Sequence, residues 1–402
     1  MAETTNTGGG IWEVLKKNTM LIALVLVMAF FHFYLIYGQG NARGFINPAT
    51  ITNLISQNAY VIVLATGMLL CILTGGNIDL SVGSIVALVG ALAGVFMTNW
   101  GVHPALAVLM CLLAGLLIGA FHGFWIAYMK IPPFIVTLAG MMLWRGLALV
   151  VLNGNTIALS RENYSGYWTG FLSYGKGHIG TQRVDELTLI VGAILTLILV
   201  VTQIRDRLHK SRSGYAAESG FLFGFKLLLY IVVMLGVTWL LACNKGIPVI
   251  LIVIAVIVAG YHYFTARTVP GRYLYAIGGN EKAARMSGVN TNRMMFFAYA
   301  NMGFLSGVAA LMCVARLNSA SPSAGTGYEL DAIASCFIGG ASAYGGTGTV
   351  AGAVIGAIFM GVLNQGMSLA GVDANWQQAV KGSVLLIAVV FDVISQKRKQ
   401  SA

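Results

Sequence analysis

Few residues in this 402-residue chain could do chemistry, and their grouping narrows what that chemistry would be. Two stretches place carboxylates and hydroxyls between apolar runs. In Gly75-Gly76-Asn77-Ile78-Asp79-Leu80-Ser81-Val82-Gly83-Ser84 a glycine pair permits an unwound turn, and Asp79 or Ser81 can cap the helix that follows. In Ser319-Ala320-Ser321-Pro322-Ser323-Ala324-Gly325 a Ser/Pro/Gly turn precedes Glu329 and Asp331. Each stretch has two readings. The first is a helix cap or a pathway or gate element comprising Asn77, Asp79 and Ser81. The second places Ser321, Ser323, Glu329 and Asp331 at an outer entrance, or makes Asp331 a cap. Asn58, Thr137, Asn301, Asn364 and Gln365 add neutral hydrogen-bonding groups within or beside apolar runs. Neutral groups suit a hydroxylated ligand such as a sugar. A cation path would present several buried carboxylates, and Asp79 is almost alone.

No catalytic or metal-binding constellation accompanies them. The five cysteines and six histidines show no CxxC, no HExxH and no His/carboxylate cluster by spacing. GxxxxGK[ST] is absent as well, so if ATP drives this chain, another chain hydrolyses it.

A polar island, Arg267 to Arg293, interrupts the apolar sequence. Within Gly278, Gly279, Asn280, Glu281, Lys282, Ala283, Ala284, Arg285, Met286, Ser287 and Gly288, Asn280 is a good N-cap and Glu281 suits the positive end of the helix dipole. Glu281 and Arg285 are spaced i,i+4, and Gly288 can end the helix in a left-handed conformation. These features predict a helix of about two turns, roughly 10 Å long. So short a helix has no core of its own and must pack on the rest of the chain or on a partner.

The elements that position these residues are membrane helices. Of the sequence, 57% is hydrophobic and 9% charged, with mean hydropathy +0.80, against roughly 25% charged residues in soluble domains. The fold class is therefore an all-α, polytopic helical bundle with about 10–12 transmembrane helices. About twelve apolar runs recur from Met20–Gly38 to Gln377–Ile394, including Asp331–Ala343 and Thr349–Leu363, some of them re-entrant. With the N-terminus inside, alternating spans put fifteen of the 24 basic residues in the cytoplasm and five outside. That sorting explains the formal charge of +11 without nucleic acid. It gives a cytoplasmic segment over 1–19, a membrane domain over 20–394 and a cytoplasmic tail over 395–402. It also gives an external loop over 153–186, a cytoplasmic connector over 205–220 and a cytoplasmic island over 267–293. The external loop carries Tyr164, Tyr167, Trp168 and Tyr174. The first span is read as a retained anchor. Arg145, inside the fifth run, must snorkel or pair with a carboxylate. Glycine series such as Gly115-Gly119-Gly123 and Gly348-Gly352-Gly356 predict close helix packing inside the bundle, and the pairs Gly339-Gly340 and Gly345-Gly346 a bend.

The chain resembles the permease subunits of bacterial ABC importers for monosaccharides, closest to the xylose or multiple-sugar type. The matching words are Gly76 to Ser84, Pro133-Phe134-Ile135-Val136-Thr137-Leu138-Ala139-Gly140, Ala276 to Val289, Ser321 to Gly325 with Glu329 to Ala334, and Gly339-Gly340. The resemblance implies the ABC importer permease fold in the bacterial inner membrane, with both termini cytoplasmic. It implies that the island, Asn280 to Gly288, is a coupling loop seated on a tandem-cassette ATPase that carries ATP and Mg. It further implies a homodimer, an extracytoplasmic sugar-binding protein as donor, and alternating access for the sugar. The rival reading is an ATP-independent secondary sugar transporter or channel.

Overall fold

The computed structural model describes residues 19–40, 44–159, 171–173, 176–179, 182–212 and 220–400. The N-terminal segment, the four aromatic residues of the expected external loop and most of the Ser/Gly-rich part of the connector lie outside them. Among the described residues, eleven helices are long and apolar enough to cross a membrane. They are α1 (Thr19–Phe33, prolonged by a π-turn Tyr34–Gly38), α2 (Pro48–Leu73), α3 (Val82–Gly94, prolonged by Val95–Asn99), α4 (Pro104–Ala127) and α5 (Pro133–Val151). After them come α6 (Glu186–Arg212), α7 (Gly220–Ala242) and α8 (Val249–Arg267). The island holds α9 (Val269–Gly279) and α10 (Glu281–Met286), and α11 (Thr291–Leu317), the half-length α12 (Tyr328–Ile338), α13 (Val350–Leu369) and α14 (Ala374–Gln400) complete the chain.

Local sequence sets most helix starts. Asn47 accepts from the Thr50 N–H ahead of Pro48, and Thr349 accepts from Gly352 N–H. Asn290 accepts from the backbone N–H of Arg293, and α11 ends where Asn318 turns left-handed at φ 49°.

The core is α11 with α2 and α3, and α14 lies on the outside, with no buried residue in its apolar window. The α4–α11 seam is made of glycine. A Cβ on Gly115, Gly119 or Gly303 would strike the backbone of the facing helix, so the predicted glycine series is an intrabundle contact. In hydrocarbon such close backbone packing supplies the van der Waals attraction that lipid does not. Short strands tie the far end together. Ile157–Ala158 pairs with Ser319–Ala320, Phe171–Leu172 with Ile247–Pro248, and Lys176–Ile179 with Gln182–Asp185.

One expected span is corrected. Asp331–Ala343 is no full helix; α12 covers only 11 residues, roughly 16 Å, half a hydrocarbon core. The remainder of that crossing is irregular. Ala320 lies against Gly94 and Gly325 against Gly83, so 320–325 descends most of the length of α3 before α12 begins. With α12, this interrupted strip runs from Gly94 near the end of α3 to Ile338, in the cluster against which Met20 packs. Ala320, Pro322 and Gly325 of this strip are buried against the bundle, whereas Ser323 and Thr326 are exposed. Met20 and Ala388 both pack against the cluster of Ala334, Ile338 and Met360, and Asp392 accepts from the Ala343 N–H, so both described chain ends share one end of the bundle.

Candidate functional site

The island forms as two helices. Asn280, extended at φ −162°, ends α9 and caps α10 by accepting from Ala283 N–H at 3.0 Å. Arg285 pairs with Glu281 at 3.1 Å and donates to Thr291, and Gly288 takes φ +86°. Charge spacing had indicated α10; α9, a longer helix capped by Thr268, had no such signal. Beneath α9 sits a glycine-lined junction. A Cβ on Gly278 would collide with the Leu73 carbonyl and the Gly346 backbone, one on Gly76 with the Ala343 carbonyl, and one on Gly345 with Gly75. Gly346 N–H donates to Leu73 O at 3.2 Å, and Tyr275 donates to Gly348 O at 2.9 Å. The island therefore bears directly on the end of α2, the start of the Gly75 break and the bend that joins α12 to α13. Asn77 belongs to this junction, donating to Thr74 O at 3.2 Å.

From the junction the chain turns back along α2, bringing Asp79 N–H to the Met68 sulfur at 3.4 Å. Asp79 Oδ1 accepts from Ser81 N–H at 2.8 Å and from its hydroxyl at 2.5 Å. Neither residue makes the expected side-chain cap of α3; Asp79 satisfies the approach to the helix instead. Ser81 Oγ meets His122 Nδ1 at 3.3 Å, and the Trp144 indole N–H donates to His122 Nε2 at 2.9 Å. Indole can only donate, so Nε2 is the bare nitrogen and Nδ1 carries the proton toward Ser81. His122 thus joins Asp79 through Ser81, a His/carboxylate cluster that spacing did not reveal because 41 residues separate Ser81 from His122. Gly140 makes room for it, since a Cβ there would strike the imidazole. The order of the groups does not suit nucleophilic catalysis, because the serine proton goes to the carboxylate and not to histidine. The cluster instead pins the break to α4 and α5.

The second stretch is divided by the structure. Ser321 and Ser323 share a hydrogen bond at 3.0 Å in an exposed turn. Arg145 donates to Pro322 O at 2.7 Å and Ala324 O at 2.6 Å, and Glu329 is the carboxylate whose charge acts on it. Glu329 lies beside Gly83. Asp331 is neither at the outer face nor a cap. It is fully buried inside α12, with Lys381 Nζ at 3.1 Å, and it accepts from Tyr60 at 3.1 Å and, more weakly, from Asn364 at 3.5 Å. A charge in a membrane segment calls for a partner, and this pair supplies one.

Beside that pair lies a polar cavity of about 230 Å³ between α2, α11, α12, α13 and α14. Asn58 lines it while donating to Ala357 O at 2.6 Å, and Gly361 leaves space for its amide. Tyr60 and Tyr328 stack there at 3.7 Å and 17°. Of the expected pathway residues, the structure gathers Asn58 and Asp331 here, with Asn364 and Gln365. Thr137 stands apart, bonded to Pro133 O at 2.9 Å on its own helix. Tyr60, Tyr328 and Gln57 carried no signal in the sequence, and Arg316 and Lys381 were legible only as basic residues within or at the ends of apolar runs. Among the described residues no group of three or more His, Cys, Asp or Glu could hold a metal ion.

The sequence matches the family described as branched-chain amino acid transport system / permease component over residues 50–389. It is 36% identical over 396 residues to the xylose transport system permease protein XylH of Escherichia coli, covering 98% of this chain and 96% of that protein. It is 37% identical over 387 residues to XylH of Haemophilus influenzae, with 96% and 98% covered. Likeness to the ribose import permease protein RbsC of Bacillus subtilis is 36% over 358 residues, with 89% and 87% covered. No solved structure matches.

Proposed function

The chain belongs to the branched-chain amino acid transport system / permease component family, and from that premise we propose that it carries xylose or a related monosaccharide across the bacterial inner membrane as an ABC importer permease. The observation that carries this reading is likeness to xylose permeases over nearly the whole chain. The chain is a transport subunit and not an enzyme. A separate ATPase with two cassettes holds ATP and Mg, an extracytoplasmic binding protein delivers the sugar, and two copies of this chain flank the pathway. The island lies on the cytoplasmic side with both termini, and α9 and α10 seat in the ATPase.

The geometry supports a specific mechanical route. Movement imposed on α9 presses on the Gly278–Gly346 contact, which is continuous with the Asp79 break on one side and with α12 and Asp331 on the other. Interrupted backbone and buried hydrogen-bonded groups at those two places make them the gate elements of an alternating-access cycle. Nucleotide state biases the cycle through the island, and the donor protein biases it from outside.

Reconstitution tests the reading. In proteoliposomes containing the chain, its ATPase and its binding protein, D-xylose uptake is expected to require ATP and all three components. Uptake by the chain alone, driven by a proton or sodium gradient, would overturn the proposal in favour of a secondary transporter.

A further inference from the structure

Arg145 is a charge inside α5 whose hydrogen bonds go to main-chain carbonyls. Its guanidinium donates to Pro322 O at 2.7 Å and to Ala324 O at 2.6 Å, both in the irregular strip that leads into α12. Carbonyls outside a helix lack a donor from their own segment, and the planar fork of an arginine reaches two of them at once, which the point charge of a lysine does not. The strip is also tied to itself. Ala324 N–H donates to Ser321 O at 3.1 Å, the Thr326 hydroxyl donates to Ser323 O at 2.8 Å, and Ser321 and Ser323 share a bond at 3.0 Å. Residues 321–326 therefore hold together as one piece. Where this piece meets α3 the contact is backbone on backbone: a Cβ on Gly83 would strike Gly325 O, and one on Gly325 would strike Gly83 O. Gly325 and Gly327 are left-handed, at φ +73° and +79°, which places a glycine joint between the strip and α12.

A second partner for Arg145 stands at the same place. The Glu329 carboxylate and Gly325 O both approach Gly83 closely enough to collide with a Cβ there, and Gly325 adjoins Ala324, one of the two carbonyl partners. Glu329 is also the carboxylate whose charge acts on Arg145. A guanidinium that releases the strip is thus not stranded in the membrane domain, because a carboxylate beside it takes over. We propose that Arg145 is the positioning residue of the gate, holding 322–324 against α5 in one state and passing to Glu329 when the strip moves away. In this role Arg145 deepens the transport reading above and depends on it. The exchange gives the strip two discrete arrangements, and movement that reaches α12 from the island biases one against the other. A fixed strut needs the two carbonyl bonds alone, whereas the glycine joint and the neighbouring carboxylate serve a strip that moves.

The test uses the complete importer, permease with its ATPase and binding protein, in proteoliposomes, and reads the strip through Thr326→Cys, exposed at the glycine joint. A membrane-impermeant thiol reagent labels it, and the parent chain supplies the background from half-exposed Cys243. The labelling rate is expected to change several-fold between the nucleotide-free importer and the importer trapped with MgATP and vanadate. Adding Glu329→Gln removes the second partner and keeps the carbonyl bonds. It is expected to make labelling the same in both nucleotide states and to lower the maximal rate of D-xylose uptake about tenfold, the loss of one charged hydrogen bond, with the half-saturating sugar concentration and the thermal midpoint unchanged. Arg145→Lys keeps the charge but loses the fork, and is expected to speed labelling in the nucleotide-free importer. Labelling of Thr326→Cys that ignores nucleotide, or wild-type uptake in Glu329→Gln, overturns the exchange and leaves Arg145 a fixed strut; wild-type labelling and uptake in Arg145→Lys removes the carbonyl tie as well. If neither added variant folds, the nucleotide dependence of Thr326→Cys decides alone. Uptake by the wild-type importer is measured in parallel. Its failure for both D-xylose and D-ribose strikes the transport reading, whereas intact uptake with labelling that ignores nucleotide strikes only the role of Arg145.

Discussion

Asp331 is the residue on which most of the buried polar chemistry converges, and its environment predicts how it responds to change. Its carboxylate is fully buried and held by Lys381, Tyr60 and Asn364. Removing one member of a buried ion pair strands the other, at a cost of about 3–5 kcal/mol, whereas removing both can be nearly neutral. Lys381→Met alone should therefore lower the thermal midpoint of the detergent-solubilised protein markedly, and adding Asp331→Asn should restore most of it. Differential scanning fluorimetry checks this, and additive losses in the double variant would show that the pair does not act as a unit. The sequence showed that Asp331 and Lys381 were charges in apolar surroundings. It could not pair them, because fifty residues separate them. His122 was less legible still: one histidine on an apolar helix carries no mark of the serine and indole it meets.

At the scale of elements, the island was the most legible part of the chain. Asn280, Glu281, Arg285 and Gly288 act within a few residues of one another, and local rules are sufficient to form α10. The Glu281–Arg285 pair is 40% and 60% exposed, so its contribution to stability is only about 0–1 kcal/mol. Glu281→Ala with Arg285→Ala should thus leave the fold and yield of the permease unchanged while lowering sugar-stimulated ATP hydrolysis by the assembled importer. Unaltered hydrolysis and uptake in proteoliposomes would remove the docking role from α10. The Asp331–Ala343 run was less legible. Its hydropathy matched a span, but the turn at Ser321–Gly325 is held at its depth by Arg145 and by the close approach of Gly83 to Gly325, contacts made across the bundle.

For the whole molecule, the described residues hold eleven helices long and apolar enough to cross a membrane, and both described chain ends lie at the island end; if the interrupted strip 319–338 crosses as well, the number of crossings is even. Reporter fusions at each terminus should then both report the cytoplasm: a fluorescent protein should glow and alkaline phosphatase should stay inactive. An active phosphatase at the C-terminus would mean that 319–338 does not cross. Sequence by itself determined the membrane class, the approximate number and position of the spans, the island's capped helix and the glycine seam. All of these depend on hydropathy, counted charge or contacts a few residues long, and such properties are written along the chain. Tertiary structure alone decided that Asp331 faces Lys381 beside a cavity, that His122 joins Asp79 through Ser81, and that Gly278 seats against both interrupted elements. Those outcomes require segments tens to hundreds of residues apart to meet at one depth. What brings them together is the packing of helices around α11, for which no local pattern exists.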